Sequence, residues 1–399
     1  MLNSVKNLLG LPYDKPEFVN EIFDCLNNLN NDTQNTKKIL SLLSKINNIN
    51  MTKTVNDITH NLLTCYIMYN EPKIKIINNL VNKKINLEYF TDGQFMCDAL
   101  MLYFNKPGSN DINIVRSLAH QNICNSYYFN GEGNTIHNLI SMYLLNNDCP
   151  SIEIINFLID NGVNAHFRVR ESNGDIYNNM IVWYIKTNTI INLNVLKILL
   201  ESNCAILDEI TINDFTSNNY EINVLLIYLK KFKNPNTTVI DLLMDSKYKN
   251  YVSFEMVIYD KMRVYNILTW YISQCENISF EMIQYFYSKC IDFNFIDNRS
   301  NNAIELYLQN KDTDIDINIL KFLHTKKLQF NEYCMVYYLK NREKYSREIV
   351  DYLLNVCVLT YHSNWHSIES GTIYNILINS FSDLKITKPN YYFTYCIIS

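Results

Sequence analysis

Residue types able to do chemistry are present in this chain, but few stand at the spacings chemistry requires. His362 and His366 lie at i, i+4 in Tyr361-His362-Ser363-Asn364-Trp365-His366. On a helix both would face one side, a spacing used by metal ligands. No Glu follows His362 as the H-E-x-x-H pattern requires, and no nearby Cys or Asp completes a donor set, so a solvated or capping pair is the favoured reading. His60, His120, His166 and His324 are single residues on apolar stripes or in loops. The 11 cysteines are scattered from Cys25 to Cys396, with no C-x-x-C and no histidine at a readable spacing. They read as free thiols of a reducing compartment, without a nucleophile among them. The P-loop, dinucleotide-binding and nucleophile-elbow patterns are missing, and 8 glycines are too few to spend on a phosphate cradle. No catalytic, cofactor-binding or metal residue is assigned, and no cofactor is expected.

Charge narrows the partners. The formal net charge is -5, which gives no general electrostatic case for nucleic acid or an anionic membrane. Lys230, Lys231 and Lys233 with Phe232 form a compact basic cluster that could touch a nucleic acid, but a short run in an acidic chain favours a solvated connector. No stretch approaches the roughly 20 apolar residues of a membrane span, and Met1 to Tyr13 lacks the apolar run of a signal peptide. The expectation is an intracellular protein with neither a nucleic-acid nor a membrane partner.

The elements that would position any site are helices in pairs. In Gly133 to Val163, a turn at Gly133-Asn134-Thr135 leads into a helix start at Ile136-His137. A second helix carries Ile154, Ile155, Leu158 and Ile159 on one stripe and meets Gly162, a residue suited to the left-handed position that stops a helix. The same apolar pair recurs at Ile39, Ile76, Ile114, Val195, Val239, Met282, Ile319 and Ile349, at separations between 30 and 44 residues. A first helix is expected before each pair: Phe18-Leu26, Ile58-Met68, Phe95-Phe104, Ile136-Leu145, Asn179-Ile185, Val224-Leu229, Tyr265-Ile272, Ala303-Leu308 and Tyr333-Leu339. Asp111, Ser151 and Ser279 are expected as N-caps of their second helices. Eight residues after each pair begins stand Asn47, Lys84, Asn122, Gly162, Asn203, Lys247, Cys290, Lys327 and Cys357. Gly and Asn suit a left-handed stop there, and Lys and Cys suit it less.

This grammar resembles the ankyrin repeat. Gly133, Thr135, Ile136 and His137 match its turn signature without the proline, and Ile154, Ile155, Leu158, Ile159, Gly162 and Val163 match its second helix. The departure is a longer segment between the two helices, Leu144 to Ser151. Arrays of the HEAT and armadillo kind have periods near 40 but lack this turn, and rank second. The resemblance implies an all-α ankyrin-repeat solenoid of about nine degenerate helix pairs with long insertions. Residues 1-30 would be an N-terminal cap, 31-360 the array, and 361-399 a C-terminal cap or degenerate last repeat without a clear F-box. It makes Gly133, Thr135, His137, Ile154, Leu158 and Gly162 structural signature residues. Fingers carry partner contacts in that family, which singles out Tyr127, Tyr128 and Phe129 in one finger and Arg168 and Arg170 in the next. Aromatics and arginine are also favoured at binding hot spots, although packing of Tyr127 to Phe129 on the next unit is the plainer alternative.

About one residue in seven is Asn, while Gly and Ala are scarce, a bias that AT-rich genomes encode, those of poxviruses, some giant viruses and some protists, and that reports coding history more than function. The likeness to poxvirus ankyrin proteins implies a non-catalytic scaffold in the host cell cytoplasm. Its role would be host range or immune evasion, by sequestering an antiviral or signalling host protein. The alternative is a substrate adaptor that recruits cullin ubiquitin-ligase components through an F-box-like segment. Leu11-Pro12 is faintly similar to such a segment but lies at the opposite terminus from the family's.

Overall fold

The computed structural model describes residues 16–27, 33–46, 48–89, 91, 95–130, 135–165, 167, 169–170, 176–177, 180–202, 224–245, 258–260, 263–331, 333–341 and 345–356. The chain divides into two compact units, Met1–Glu221 and Ile222–Ser399. The described residues are mostly helical, with short antiparallel strands.

In the first unit the helices are α1 (Pro16–Asn27), α2 (Thr33–Ser44), α3 (Leu62–Tyr69), α4 (Ile74–Asn82), α5 (Ala99–Phe104), α6 (Ile112–Leu118), α7 (Leu139–Leu145), α8 (Ile152–Asp160), α9 (Met180–Thr187) and α10 (Leu193–Ser202). In the second they are α11 (Val224–Lys231), α12 (Thr237–Leu243), α13 (Ile267–Gln274), α14 (Phe280–Ser288), α15 (Ala303–Gln309), α16 (Ile317–Thr325), α17 (Tyr333–Lys340) and α18 (Arg347–Val356). Taken in order they form pairs, and every apolar pair read from the sequence falls in a second helix.

Within each unit, first helices pack on first helices and second on second. Thus α3 lies between α1 and α5, α7 between α5 and α9, and α4 between α2 and α6; in the other unit α13 lies between α11 and α15, and α14 against α16. This layering explains two burial patterns. A first helix has neighbours on every side, so six consecutive residues are buried, as in Leu139–Leu144 or Met180–Ile185. A second helix has an open side, so only one stripe is buried: Ile76, Ile77 and Leu80 in α4, or Ile154, Ile155 and Leu158 in α8. Each fully buried Leu or Ile contributes roughly 1.5–3 kcal/mol.

One contact repeats in all pairs but the first. A first-helix tyrosine accepts a hydrogen bond from the backbone N–H of the residue that begins the second helix. Tyr66 receives Lys73 at 2.8 Å, Tyr103 Asp111 at 3.1 Å, Tyr143 Ser151 at 2.6 Å and Tyr184 Asn192 at 3.0 Å. Tyr228 receives Asn236 at 2.7 Å, Tyr271 Ser279 at 3.0 Å, Tyr307 Asp316 at 2.7 Å and Tyr338 Ser346 at 2.8 Å. The bond satisfies a backbone donor that helix geometry leaves orphaned. Helix α1 contains no tyrosine. Asp111 and Ser279 cap their helices through their side chains, as expected. Ser151 stands at the N-cap without a side-chain bond, and the Tyr143 hydroxyl takes its N–H instead.

Four first helices begin later than the sequence suggested. Ile58–Asn61, Phe95–Met96, Ile136–Asn138 and Arg263–Tyr265 are strands, and helices follow at Leu62, Ala99, Leu139 and Ile267. The apolar run continues across the boundary, so periodicity alone does not mark it. The boundary is set by Asn61, Asp98, Asn138 and Asn266, extended residues whose side chains accept from the third backbone N–H of the helix. The segment between α7 and α8 is six residues, Asn146 to Ser151, within the four-to-seven range of the other described pairs. Strands fill several of the connections between pairs, as at Thr52–Asn61 and Tyr127–Asn138, while 289–302 holds none.

The stop position corrects another expectation. Lys84, Cys290 and Lys327 are left-handed at φ 62, 59 and 67, like Gly162 at 83, whereas Asn122 has φ -102. After Lys84, Gly162 and Cys290, the next residue donates back to the helix: Ile85 to Leu80, Val163 to Leu158 and Ile291 to Phe286. Ile85, Val163 and Ile291 are buried, and this hydrophobic closure outweighs the preference against a side chain at left-handed φ.

The hairpins are β1 (Thr52–Val55) with β2 (Ile58–Asn61), and, in the second unit, β8 (Ile258–Asp260) with β9 (Arg263–Tyr265). Asn56 and Asp57, both at positive φ, make the two-residue turn of the first. In the first unit β3 (Phe95–Met96), β4 (Tyr127–Asn130), β5 (Ile136–Asn138), β6 (Val169–Arg170) and β7 (Ile176–Tyr177) join in that order into one antiparallel sheet.

Candidate interaction surface

The five-stranded sheet collects most of the residues singled out for binding. Tyr127, Tyr128 and Phe129 lie in β4, paired with Asn138, His137 and Ile136 of β5. Arg170 in β6 pairs with Ile136 from the other side and with Ile176 of β7. Arg168 and Gly133 lie outside the described residues, as do His166, His362 and His366.

Register divides the sheet into two faces. His137 and Val169 are fully buried and turn toward the helices. Tyr128 is opposite His137 and half-buried; burial, then the neighbouring Cys97 thiol, pushes its phenol up to about 12. Tyr127, Ile136 and Arg170 are half-buried on the other face, and Tyr127 stacks on Phe167 with ring centroids 5.3 Å apart. Packing and presentation are thus divided within one tripeptide: Tyr128 faces inward, Tyr127 outward.

The signature residues hold this surface from behind. His137 lies on β5, two residues before helix α7, and not at the helix start that its motif suggested. Its Nδ1 is 3.2 Å from Ser141 Oγ, and its ring meets Trp183 of the next pair edge-on at 5.9 Å. Burial lowers its pKa to about 4. Thr135 is half-buried just before β5, and Ile154 and Leu158 are fully buried. Asn138 caps α7 and also donates from Nδ2 to the Asn164 carbonyl at 2.7 Å, tying the hairpin to the end of α8. Asn61, Asn266 and Asn302 make the same tie to Asn86, Asp292 and Gln329.

The third pair replaces this asparagine with Asp98, which has no amide to donate. Its Oδ1 caps Met101 N at 2.8 Å, while Oδ2 accepts from Ser126 Oγ and stands 3.2 Å from His120 Nε2. Asn122 N–H donates to His120 Nδ1 at 3.3 Å, and His120 Nε2 also lies 3.4 Å from Ser126 Oγ. Ser, His and Asp side chains therefore meet, but not in a nucleophile's order. Activation needs the base between serine and acid, whereas Ser126 is buried and donates to Asp98 directly. The cluster is a capping device.

Neither this cluster nor the tyrosine latch was read from the sequence. A tyrosine 10 to 12 residues before the apolar pair, from Tyr66 before Ile76 to Tyr307 before Ile319, was the available signal. Among the described residues, no group of three or more His, Cys, Asp or Glu could hold a metal ion, and no helix is long and apolar enough to cross a membrane. Burial raises the thiols of Cys65, Cys97 and Cys275 to about 12, far from the range of a reactive thiolate. Lys230 and Lys231 occupy the last turn of α11, and Lys231 Nζ lies 5.1 Å from the Phe232 ring centroid. No model of a known protein family matches the chain, and no curated protein matches it.

Proposed function

We propose that this protein is a non-catalytic, ankyrin-type repeat scaffold that captures a host antiviral or signalling protein in the cytoplasm of an infected cell. The hairpin sheet of the first unit is its contact surface. One observation carries the reading: adjacent hairpins join into a sheet whose inner face is fixed by His137 and Val169 while its outer face presents Tyr127, Ile136 and Arg170. Rigid backing with aromatic and guanidinium groups in front is the composition of a binding hot spot. The repeated helix pairs, first layer on first and second on second, support a stacked-repeat scaffold, in which neighbouring units supply the core no single pair can build. The host-directed role rests on the resemblance of residues 133 to 163.

The test is affinity purification of the full chain from infected human cells, followed by mass spectrometry. Tyr127→Ala with Arg170→Glu is expected to lose the captured protein while helical circular dichroism stays unchanged. Retention of every partner by that folded variant would refute the assigned surface. Recovery of cullin-ligase components together with the partner would replace sequestration with the adaptor reading.

A further inference from the structure

The outward stripe of the second helices changes character along the chain. The residue before each apolar pair and the one two after its first member are exposed or half-exposed. In α2, α4 and α6 they are Lys38 and Ser41, Lys75 and Asn78, Asn113 and Arg116. At the same positions α12, α14, α16 and α18 carry Thr238 and Asp241, Glu281 and Gln284, Asn318 and Lys321, Glu348 and Asp351. Residues 33 to 89 hold 8 lysines and 3 acids, and no acid lies on α2 or α4.

The two stripes also differ in pairing. In the second unit Lys289 meets Asp241 at 2.5 Å, Lys321 meets Glu348 at 3.4 Å, and Lys326 Nζ lies 3.7 Å from the Tyr287 ring centroid. In the first, Lys37, Lys38 and Lys75 make no ion pair among the described residues. Arg116 is paired, with Glu153 at the stripe's far edge. The three helices are neighbours: Lys73 Nζ donates to Thr36 Oγ1 at 3.4 Å and Ser117 Oγ to Asn78 Oδ1 at 2.8 Å. Like charges held side by side repel one another, and an external anion relieves that repulsion.

We infer that the outward stripe of α2, α4 and α6 is a second docking surface, separate from the hairpin sheet, and that it takes an acidic segment of a partner protein. Charge complementarity supplies the attraction and the orientation. The hydroxyl of Ser41 and the amides of Asn78 and Asn113, set among the cations, can bond a partner's backbone and carboxylates. A nucleic acid fits less well. None of the three helices contains an aromatic residue on which a base could stack, and the net charge of -5 opposes approach of a long polyanion.

The test is fluorescence anisotropy with the full chain and a labelled twelve-residue peptide of alternating Glu and Ser. Binding is expected to fall about tenfold in Lys38→Glu with Lys75→Glu, less in the Gln pair, and to weaken as salt is raised. Lys197→Glu, on the same stripe of α10, and Tyr127→Ala with Arg170→Glu on the sheet are expected to bind the peptide as the parent does. Circular dichroism checks that each variant is folded. Equal weakening by Lys197→Glu would show unspecific attraction and overturn the assignment. So would tighter binding of a single-stranded RNA of equal charge, or salt-sensitive self-association that the peptide cannot compete.

Discussion

The third and fourth helix pairs are neighbours in one unit, yet they close in different ways. In the fourth, Asn138 caps α7 and donates to the Asn164 carbonyl, just after Gly162 has reversed the chain at φ 83. In the third, Asp98 can only accept. Helix α6 ends at Leu118, Ala119 is extended, and a short 3-10 turn at Ile123–Asn125 delivers Ser126 to the carboxylate, alongside His120. Exchanging an amide for a carboxylate reverses the direction of one hydrogen bond, and the chain from Ala119 to Ser126 takes another path to supply the donor. Between these two pairs the polar groups stay satisfied while the backbone trace changes.

Asp98→Ala is expected to have the largest effect on this contrast. It removes a helix cap and takes the carboxylate acceptor from the buried Ser126 hydroxyl, for a loss of about 2–4 kcal/mol. Asn138→Ala, whose carbonyl partner has other ways to be satisfied, should cost about 1–2 kcal/mol. Urea unfolding followed by circular dichroism compares them, and equal losses would dissolve the distinction.

Acid comes next. The fourth pair has His137 before its cap where the third has Cys97. Burial lowers the His137 pKa from 6.5 to about 4, so between those values the unfolded chain holds more protons than the folded one. Its contribution is whole above about pH 6.5 and drains away as pH falls through 4, by on the order of 3 kcal/mol. His137→Gln should lessen the dependence of stability on pH over that window, with buried His60, also lowered to about 4, supplying the remainder; an unchanged slope would mean that the His137 imidazole is not kept neutral by the fold.

The latch gives a smaller contrast. Tyr143 accepts from Ser151 N–H and donates to Asn110, whereas Tyr103 accepts from Asp111 N–H. Tyr143→Phe should cost about 1–2 kcal/mol and Tyr103→Phe about 1 kcal/mol by thermal melting. The reverse order would argue against the second bond. Smallest is the stop position. Lys84→Gly relieves a left-handed side chain and should gain about 0.5–1 kcal/mol. Asn122→Gly, at φ -102, should gain nothing, and a gain there would contradict the different path of the third pair.

These contrasts show what the sequence could and could not disclose. Second helices were legible because one stripe must be apolar at i, i+1 and i+4, and Ile154, Ile155 and Leu158 announce it. First helices were legible as apolar runs but not at their starts, since the run from Ile58 or Ile136 crosses from strand into helix. Asn61 and Asn138 were the punctuation, hidden by the abundance of asparagine. The stop position misled because residue preference is weak beside closure by Ile85 or Ile291. Of the surface, Tyr127 and Arg170 were found as residue types. That Ile136 lies between them and that Tyr128 turns inward depend on strand register, which no local pattern encodes.

The tyrosine latch acts as a ruler. Because each hydroxyl must reach the next helix's first amide, the stretch from tyrosine to amide is held to seven to nine residues. The period meanwhile ranges from 30 to 44. Among the described residues every strand lies outside that span, in the connections between pairs. Loops between pairs can therefore be lengthened, shortened or redecorated while each latched joint keeps its gauge.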